Sequence, residues 1–398
     1  MKFAVLIGDG MGDYPHEYFN GKTVLEASFT PNMDWIASNG KGGLAATIPE
    51  SMHPGSDVAN MELLGYDTTE KFTGRSVFEA LSMGKHLGPD DIAFRANLVT
   101  LENGLMKDYS AGHITTEEAE ELMNLLDSKI GSETLRFHPG VSYRHLMVKT
   151  GGTDQMQTTP PHDIIDQEYS PWLPTGDGGD EIRRIMDESR SVLADAVVNK
   201  KRIATGKLPA NSLWLWGQGR PLEIMTIEEK FGLKGAVISA VDLIKGIGVA
   251  AGLSSIFVPG ATGYIDTNYR GKAEAALKVL EDDDFVYVHV EAPDEAGHNG
   301  DPAMKKQAIE DFDREVVGTI LESYKNREDL AIIVTCDHRT PLVKRTHTRE
   351  SVPFAFVGPG VEADAMESFS EQAAEQGSSG QIIGNKLLNH FIGDFIAI

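Results

Sequence analysis

Six aspartate and histidine residues follow shortly after apolar segments of this chain, and their side chains are of the types that bind divalent metal ions. They are Asp9, Asp294, His298, Asp337, His338 and His347. Carboxylate oxygens combined with imidazole nitrogens suit Mn²⁺ or Zn²⁺ better than Ca²⁺, which prefers oxygen ligands alone. A single aspartate after a strand more often caps a helix. The six residues together predict a metal site, and helix capping is the alternative for each aspartate.

One hydroxyl group stands out beside these predicted ligands. Ser56 follows Pro54 and Gly55 at a predicted helix start, where backbone N–H groups and the helix dipole favour an anion. A serine at this position usually only caps the helix. Next to a metal ion it becomes a candidate nucleophile, because coordination would lower the pKa of its hydroxyl.

Other motifs and histidines carry less information. The segment GDGMGD at 8–13 lacks the third glycine of a dinucleotide fingerprint, and His16 stands where a phosphate loop ending at 21–23 needs its first glycine. No GxSxG segment occurs, so an ordinary esterase triad is unsupported. We interpret a further group of histidines as structural or solvent-facing: His53, His86, His138, His145 and His289.

The apolar segments that precede the predicted ligands are predicted to be buried strands. Each is a short run rich in β-branched or aromatic residues that ends in turn residues: 3–7, 285–290, 330–335 and 352–357. Continuous apolar runs of this kind are typical of a parallel sheet covered on both faces. Predicted helices over 30–40 and 301–324 alternate with them. This alternation indicates an α/β doubly wound sheet, whose strands end at the edge where ligands bind.

The middle of the chain has a different pattern of apolar, polar and turn residues. Alternating stretches at 92–101 and 143–149 predict half-buried strands, 116–129 predicts a helix, and the Gly-, Pro-, Thr- and Asp-rich segment 151–180 predicts a surface loop. We therefore expect an inserted α+β domain. The predicted division is a core of residues 1–85 and 245–398 and an insertion of residues 86–244.

Composition limits the partners of the protein. The 398 residues include 36 Lys and Arg against 60 Asp and Glu, a formal net charge of −24, which argues against nucleic acid or an anionic membrane as the main partner. The single cysteine, Cys336, excludes an intramolecular disulfide and a cysteine-rich metal cluster. The N-terminal apolar run is too short for a signal peptide, and no apolar stretch approaches the roughly 18 residues of a membrane span. We expect a cytoplasmic protein.

Several segments, in order along the chain, carry a family resemblance. They are DGMGD at 9–13, HPGSDVANMELLGYD at 53–67, GRSVFEAL at 74–81, LIKGIG at 243–248, GATGYIDTNY at 260–269, DEAGHNGD at 294–301, DHRTP at 337–341 and the later His347. Together they resemble the alkaline phosphatase superfamily and, within it, the archaeal-type cofactor-independent phosphoglycerate mutases. The resemblance implies an alkaline-phosphatase-like, mostly parallel sheet with an inserted substrate domain.

The resemblance also implies roles for the predicted site residues. One metal ion would be bound by Asp294, His298 and His347. A second would be bound by Asp9, Asp337 and His338, with Ser56 bridging toward it as the nucleophile. The implied reaction moves the phosphoryl group of 3-phosphoglycerate through a phosphoserine to the 2-position, without 2,3-bisphosphoglycerate. The expected cofactors are two Mn²⁺ ions, with Zn²⁺ or Mg²⁺ as alternatives.

Basic groups are expected to bind the small phosphorylated anionic substrate. The candidates are Arg75, Arg95, His113, His162 and Lys245, of which Lys245 is also a candidate catalytic residue. For each arginine or lysine, a solvated surface role is the alternative.

Two departures from the family pattern put the substrate in question. DYSAGH at 108–113 replaces the arginine-rich DRRAGR of the archaeal enzymes, so substrate-facing positive charges are missing. DHRTP at 337–341 replaces the commoner DHSTP and is expected to place Arg339 beside the metal ions. The alternative activity is therefore a related phosphotransferase, such as a homoserine kinase, or a phosphatase.

Overall fold

The structure, a computed structural model, describes residues 1–396 of the chain as alternating helices and strands. The strands are β1 (Lys2–Gly8), β2 (Lys41–Ala46), β3 (Asp91–Glu102), β4 (Leu105–Asp108), β5 (Leu135–Val141), β6 (Arg144–Thr150), β7 (Ser212–Gly219), β8 (Gly235–Ile238), β9 (Ser254–Ser255), β10 (Phe285–Val290), β11 (Leu330–Thr335), β12 (Val352–Val357) and β13 (Gln381–Ile383). The helices are α1 (Val24–Ala27), α2 (Pro31–Asn39), α3 (Ser56–Leu63), α4 (Thr68–Lys71), α5 (Ser76–Ser82), α6 (Thr116–Ile130), α7 (Gly179–Ala194), α8 (Val197–Ala204), α9 (Ile227–Phe231), α10 (Asp242–Ala250), α11 (Tyr269–Asp282), α12 (Ala292–Asn299), α13 (Pro302–Asp311), α14 (Gly318–Tyr324), α15 (Glu371–Ala374) and α16 (Gly384–Gly393). Short 3₁₀ turns occur at Glu17–Phe19, Pro161–Ile164 and Ser170–Trp172.

The chain divides into two compact units. Unit 1 consists of Met1–Phe72 and Glu223–Ile398, and unit 2 consists of Thr73–Leu222. The predicted boundaries, after residues 85 and 244, lie further along the chain. They differ because α5 packs on β3 and β7 of unit 2, whereas β8 pairs with β10 of unit 1. The assignment of unit 1 as a metal-binding core and of unit 2 as a substrate domain stays a prediction.

Unit 1 is built on an eight-stranded, mostly parallel sheet. Its strand order is β13-β2-β12-β11-β1-β10-β8-β9. The central strand β1 pairs in parallel with both β10 and β11. Every residue of β10, β11 and β12 is buried, as their continuous apolar sequences predict. The expected α/β class with a mostly parallel sheet is confirmed.

One strand of this sheet runs in the opposite direction. The apolar segment 352–357 was expected among the parallel strands, but β12 pairs antiparallel with β11 on one side and with β2 on the other. The expectation of a parallel strand is therefore wrong here. The reason is that burial on both faces produces the same apolar run whichever way a strand points, so composition does not report its direction.

Helix α3, which carries Ser56, begins where the sequence predicts. Helix α3 starts at Ser56, with Gly55 as its N-cap, and α12 starts at Ala292. The long segment 301–324 is helical throughout, but a π-helical stretch at Phe312–Val317 separates α13 from α14. Helix α12 brings Asp294 and His298 to one face, because residues four apart in a helix lie on the same side.

Unit 2 has its own antiparallel sheet, in the order β4-β3-β6-β5 with β7 paired to the other edge of β3. Helices α6 and α7 pack against this sheet and against each other. The predicted strands at 92–101 and 143–149 and the predicted helix at 116–129 are present as β3, β6 and α6, but residues 92–101 are all buried, so the expectation of a half-buried strand is wrong for β3. The α+β character expected for the middle of the chain is thus observed.

Among the described residues, no helix is long and apolar enough to cross a bilayer.

Candidate metal centre

Three neighbouring strands bring the predicted ligands to one edge of the unit 1 sheet. In the sheet register, Gly8 lies beside Val290 and Ile7 lies beside Thr335. The residues that follow β1, β10 and β11 therefore leave the sheet together. Asp9 and Asp337 are completely buried at this edge.

Asp294, His298 and His347 form one cluster of possible ligands. His298 Nε2 lies 3.2 Å from Asp294 Oδ2, and His347 Nε2 lies 3.5 Å from Asp294 Oδ1. The two Nε2 atoms are 2.9 Å apart. The three ligand atoms lie within 4.8 Å of one another, a spacing that a metal ion can bridge.

The charges in this first cluster are strongly coupled. Burial alone would raise the pKa of Asp294, but hydrogen bonds from His298 and His347 hold it well below its usual range. The hydrogen bond to Asp294 raises the pKa of His298 to about 9. Without a metal ion, a proton on His298 compensates the carboxylate, so a metal ion would have to replace that proton.

Asp9, Asp337, His338 and Ser56 form a second cluster. His338 Nε2 lies 3.5 Å from both Asp9 Oδ1 and Asp337 Oδ2. The Ser56 Oγ lies 3.1 Å from the same His338 nitrogen. Among the described residues, the ligand atoms of Asp9, Asp294 and His338 also lie within 4.8 Å of one another, so the two clusters are contiguous.

The donor atoms of the second cluster fit a divalent cation. The Asp9 Oδ1 atom is buried and has no hydrogen-bond partner in the described part of the chain. Burial raises the pKa of Asp9 well above its usual value, and the neighbouring Asp337, Glu291 and Asp294 raise it further. Burial likewise raises the pKa of Glu291 to about 8. Carboxylates crowded together in this way require compensating positive charge, which metal ions would supply.

Helix α3 and its neighbours position Ser56 and Asp337. Asn60, one turn after Ser56, donates from Nδ2 to the Ser56 carbonyl at 2.8 Å and to Asp337 Oδ2 at 2.9 Å. The Tyr287 hydroxyl donates to Asn60 Oδ1 at 2.5 Å. Asp337 Oδ1 accepts from the backbone N–H groups of Gly10 and His338. Asn60 and Tyr287 were not predicted as site residues, because only their contacts distinguish them from core residues.

His289 also belongs to this site, and its interpretation as a structural or solvent-facing residue needs correction. His289 is fully buried, and its Nε2 lies 2.9 Å from Asp9 Oδ2. The solvent-facing alternative is therefore wrong for His289. Burial lowers its pKa to about 4, so the imidazole is neutral. The signal in the sequence was a polar residue inside the otherwise apolar strand β10.

Arg339 does not point toward the metal-ligand side chains, contrary to expectation. Its Nε and Nη2 donate to the Ser351 carbonyl at 3.0 and 2.8 Å, and its Nη1 donates to the Asp13 carbonyl at 3.3 Å. The guanidinium group is therefore engaged by backbone carbonyls. It ties the segment that carries His347 to the loop after β1.

In unit 2, two of the predicted substrate-binding arginines share one carboxylate. Arg95 Nε lies 3.0 Å from one oxygen of Glu79, and Arg75 Nε lies 3.5 Å from the other. Burial lowers the pKa of Arg95 to about 10, with a further contribution from Arg75 and Arg144. Three arginines and one glutamate leave an excess of positive charge in a chain of strongly negative net charge.

A row of rings runs from Arg95 through the predicted His162 to Arg144. Trp216, His162, Tyr109 and Tyr143 pack edge to face in that order, with centroid distances of 5.5, 6.1 and 5.4 Å. Arg95 lies 4.1 Å above the Trp216 ring at one end, and Arg144 lies 5.6 Å above the Tyr143 ring at the other. We call this set the arginine-ring row. Arg144 was not predicted, because it is an exposed residue of β6 that nothing in its local sequence distinguishes.

His113 and Lys245 have no contact of this kind among the described residues. His113 is exposed and ends a turn in which Ala111, Gly112 and His113 all have φ values between 49° and 65°. Such left-handed backbone is costly outside glycine and is concentrated at functional sites. Lys245 Nζ pairs with Asp242 at 3.1 Å in unit 1. Substrate binding by these two residues stays a prediction.

The chain is similar to known proteins over nearly its whole length. A sequence model of the 2,3-bisphosphoglycerate-independent phosphoglycerate mutase family matches residues 37–199. A protein of that name from Methanosarcina acetivorans is 50% identical over 397 residues, covering 98% of this chain and 100% of the relative. A solved structure of a Pyrococcus horikoshii protein matches with a TM-score of 0.84 and 32% identity, over 98% of this chain and 96% of that one.

A second solved structure extends the comparison. The cofactor-independent phosphoglycerate mutase from Thermoplasma acidophilum matches with a TM-score of 0.70 and 30% identity, over 98% of this chain and 99% of that chain. Full-length similarity of this kind confirms the predicted family and the α/β fold. From these similarities over nearly its whole length, the chain belongs to the 2,3-bisphosphoglycerate-independent phosphoglycerate mutase family.

Proposed function

We propose that this protein interconverts 3-phosphoglycerate and 2-phosphoglycerate through a phosphoserine on Ser56, without 2,3-bisphosphoglycerate. The observation that carries the proposal is the position of Ser56. Its Oγ lies 3.1 Å from His338 Nε2 at the first residue of α3, next to the buried carboxylates of Asp9 and Asp337. The names of the full-length relatives support the same reaction.

The two clusters would each bind a divalent metal ion. The first ligand set is Asp294, His298 and His347, and the second is Asp9, Asp337 and His338 with Ser56. We expect Mn²⁺, with Zn²⁺ or Mg²⁺ as alternatives, because the sets combine carboxylate oxygens with imidazole nitrogens. When bound, the ions would supply positive charge that lowers the pKa of the serine hydroxyl and offsets the phosphate.

The chain's own residues would then carry out two phosphoryl transfers. Ser56 Oγ attacks the phosphorus atom, the bond between phosphorus and the C3 oxygen breaks, and that oxygen takes up the proton released by the serine. Ser56 is well placed for this step because backbone N–H groups at the start of α3 favour the negative charge of the phosphoryl group. After the glycerate turns, its C2 hydroxyl attacks the phosphoserine, and the serine hydroxyl is restored.

The arginine-ring row of unit 2 would bind the substrate anion. Arg75 and Arg95 supply guanidinium groups suited to bidentate binding of carboxylate or phosphate. Arg144 adds charge from β6, next to Tyr109, where the family's arginine-rich segment is replaced. The predicted roles of His113, His162 and Lys245 in substrate handling remain part of this proposal. Lys245 would have to exchange its partner Asp242 for the substrate.

The cellular role follows from the proposed substrate pair. Both phosphoglycerates are small, phosphorylated anions of glycolysis, so we propose a cytoplasmic glycolytic enzyme. The net charge of −24 supports the absence of nucleic acid among its partners. A homoserine kinase or phosphatase activity is not favoured, because the full-length relatives carry the mutase name.

The proposal is tested with the purified, Mn²⁺-loaded protein and 3-phosphoglycerate, in the absence of 2,3-bisphosphoglycerate. Aliquots are quenched with excess chelator and analysed by ³¹P NMR. We expect 2-phosphoglycerate from the wild type, none from Ser56→Ala, and unchanged turnover from Ser51→Ala, whose serine is exposed in a nearby turn. Metal content measured on both variants separates loss of the nucleophile from loss of the ions.

Other outcomes would change the assignment. Free phosphate without 2-phosphoglycerate would indicate a phosphatase. Activity retained by Ser56→Ala would exclude the phosphoserine, and activity that survives chelation would exclude the two-metal mechanism. No change of the substrate at all would refute the mutase reaction and direct the assay to homoserine with a phosphoryl donor.

A further inference from the structure

His289 is a buried residue of the site to which the proposed mechanism assigns no role. Both of its ring nitrogens have partners: Nε2 lies 2.9 Å from Asp9 Oδ2, and Nδ1 lies 3.3 Å from Ser239 Oγ. The Ser239 Oγ in turn accepts from the backbone N–H of Val241, the N-cap of α10, at 3.0 Å. A chain of three hydrogen bonds therefore connects the start of α10 with Asp9.

The direction of these bonds follows from what each group can donate. The Val241 N–H occupies one acceptor position of the Ser239 oxygen, so the serine can direct its own proton to His289 Nδ1. When a metal ion compensates its charge, Asp9 is ionised and only accepts, so the imidazole proton belongs on Nε2. A neutral His289 then accepts at Nδ1 and donates at Nε2, and every group in the chain is satisfied.

This arrangement distinguishes the two oxygens of Asp9. Oδ2 accepts from His289, whereas Oδ1 is buried without a hydrogen-bond partner among the described residues and lies 3.5 Å from His338 Nε2. The backbone of His289 is itself held, because the buried Lys272 donates from Nζ to the His289 carbonyl at 3.0 Å. Oδ1 is therefore the Asp9 oxygen that lies next to His338 and is left without a hydrogen bond.

A direct metal ligand is the competing role for His289. The ligand atoms of Asp9, His289 and Asp337 lie within 4.8 Å of one another, which geometry alone would allow a metal ion to bridge. A nitrogen that carries a proton has no lone pair for a metal, however, and the bond to Asp9 requires the proton on Nε2. The hydrogen-bond chain therefore opposes this role.

We propose that His289 is a positioning residue, oriented by Ser239, that holds Asp9 Oδ2 and so presents Asp9 Oδ1 to the metal ion of the second cluster. The inference rests on the proposed function only in assuming a divalent ion at that position. Removing a hydrogen-bond partner of a metal ligand typically weakens metal affinity by about 10- to 100-fold.

The test measures metal binding in the full-length protein, without substrate. Metal-free protein is titrated with Mn²⁺ by calorimetry and with Co²⁺ by absorption spectroscopy. We expect His289→Leu to weaken one of two binding events by about 10- to 100-fold. His289→Gln, whose amide N–H can replace the Nε2 donor, should retain most of the affinity, and Ser239→Ala should lose less than His289→Leu. His390→Gln, at a half-buried histidine that bonds Ser379, is the matched control.

Each outcome decides the role of His289. A wild-type Co²⁺ spectrum in His289→Gln supports positioning, because the ligand set is then intact, whereas a changed spectrum would make His289 a ligand and overturn the inference. If both His289→Leu and Ser239→Ala bind metal with wild-type affinity, His289 contributes only to packing and the inference is overturned. If His289→Leu does not fold, as judged by circular dichroism, His289→Gln and Ser239→Ala decide the question. If the wild type binds the metal ions as expected but shows no mutase activity, the proposed reaction is refuted and the positioning role of His289 stands.

Discussion

Replacing the buried Lys305 by methionine should destabilise unit 1 by about 3–5 kcal/mol, the cost of breaking a buried ion pair by removing one partner. Lys305 on α13 is 0% exposed, and its Nζ donates to Asp13 Oδ2 at 2.8 Å, to the Thr340 carbonyl at 2.8 Å and to the Gly12 carbonyl at 3.1 Å. All three ammonium protons are therefore used. The side chain joins α13 to the loops that follow β1 and β11.

The magnitude follows from what the substitution leaves behind. Methionine fills a similar volume, so the packing loss is small, but Asp13 stays 1% exposed without its cation. Asp13 keeps the backbone N–H groups of Tyr14 and Leu342 as donors, which places the cost within the range for a broken pair rather than above it. The neutral Asp13→Asn in the same background removes the uncompensated charge and should restore part of the loss.

The assay is urea denaturation of the metal-free protein, followed by circular dichroism, so that metal binding does not contribute to stability. Lys306→Met is the control, because Lys306 is the neighbouring lysine and makes a half-exposed pair with Glu310. Its expected cost is below about 1 kcal/mol. Equal denaturation midpoints for the two lysine variants would refute the argument, as would a double variant with Asp13→Asn that is no more stable than Lys305→Met alone.

Three further predictions concern the substrate and the metal ions. Arg144→Ala should raise KM for 3-phosphoglycerate at least tenfold with a smaller change in kcat, since a lost charge-assisted bond costs about 1.5–3 kcal/mol. Arg184→Ala, on the surface of α7, is the control. Equal KM values for the Arg144→Ala and Arg184→Ala variants would contradict a role for Arg144. Arg339→Ser should lower the free energy of unfolding by about 1–3 kcal/mol and speed hydrogen exchange in the segment that carries His347; unchanged exchange would show that the backbone contacts of Arg339 are dispensable. In the metal-free protein, the pKa of His298 is raised from 6.5 to about 9 by its bond to Asp294, so this contribution to stability is complete below pH 6.5 and is lost as the pH rises through about 9. The melting temperature should therefore fall over that interval while Mn²⁺ affinity rises, because binding releases the His298 proton, and a melting temperature that increases with pH would refute the assignment.

The local features of the site could be predicted from the sequence because they depend on short-range geometry. Asp294 and His298 are four residues apart, so any helix beginning at 292 brings them to one face. The position of Ser56 after Pro54 and Gly55 predicts a helix start, and α3 begins there. In each case the spacing along the chain is enough, since the helix that forms has a fixed rise and period.

The contacts made across the sheet could not be predicted in the same way. His289 looks like any polar residue in a strand until the register of β1 and β10 places it beside Ile7, next to Asp9. Arg339 follows two predicted ligands, yet its side chain binds the carbonyls of Asp13 and Ser351. The arginine-ring row joins residues far apart in sequence, from Arg95 to Trp216. Such contacts depend on which strands pair and which rotamers fit.

The sequence by itself determined the α/β class, the family and the set of aspartates, histidines and serine that can carry phosphoryl-transfer chemistry, because apolar runs, helix starts and motif spacings are local properties. The tertiary structure decided the direction of β12, the partner of each oxygen of Asp9 and the charges that surround each group. These depend on strand register and burial, which bring together atoms hundreds of residues apart, such as Asp9 and His289 at 2.9 Å. The identity of the candidate ligands therefore follows from local sequence, whereas their orientation depends on long-range packing.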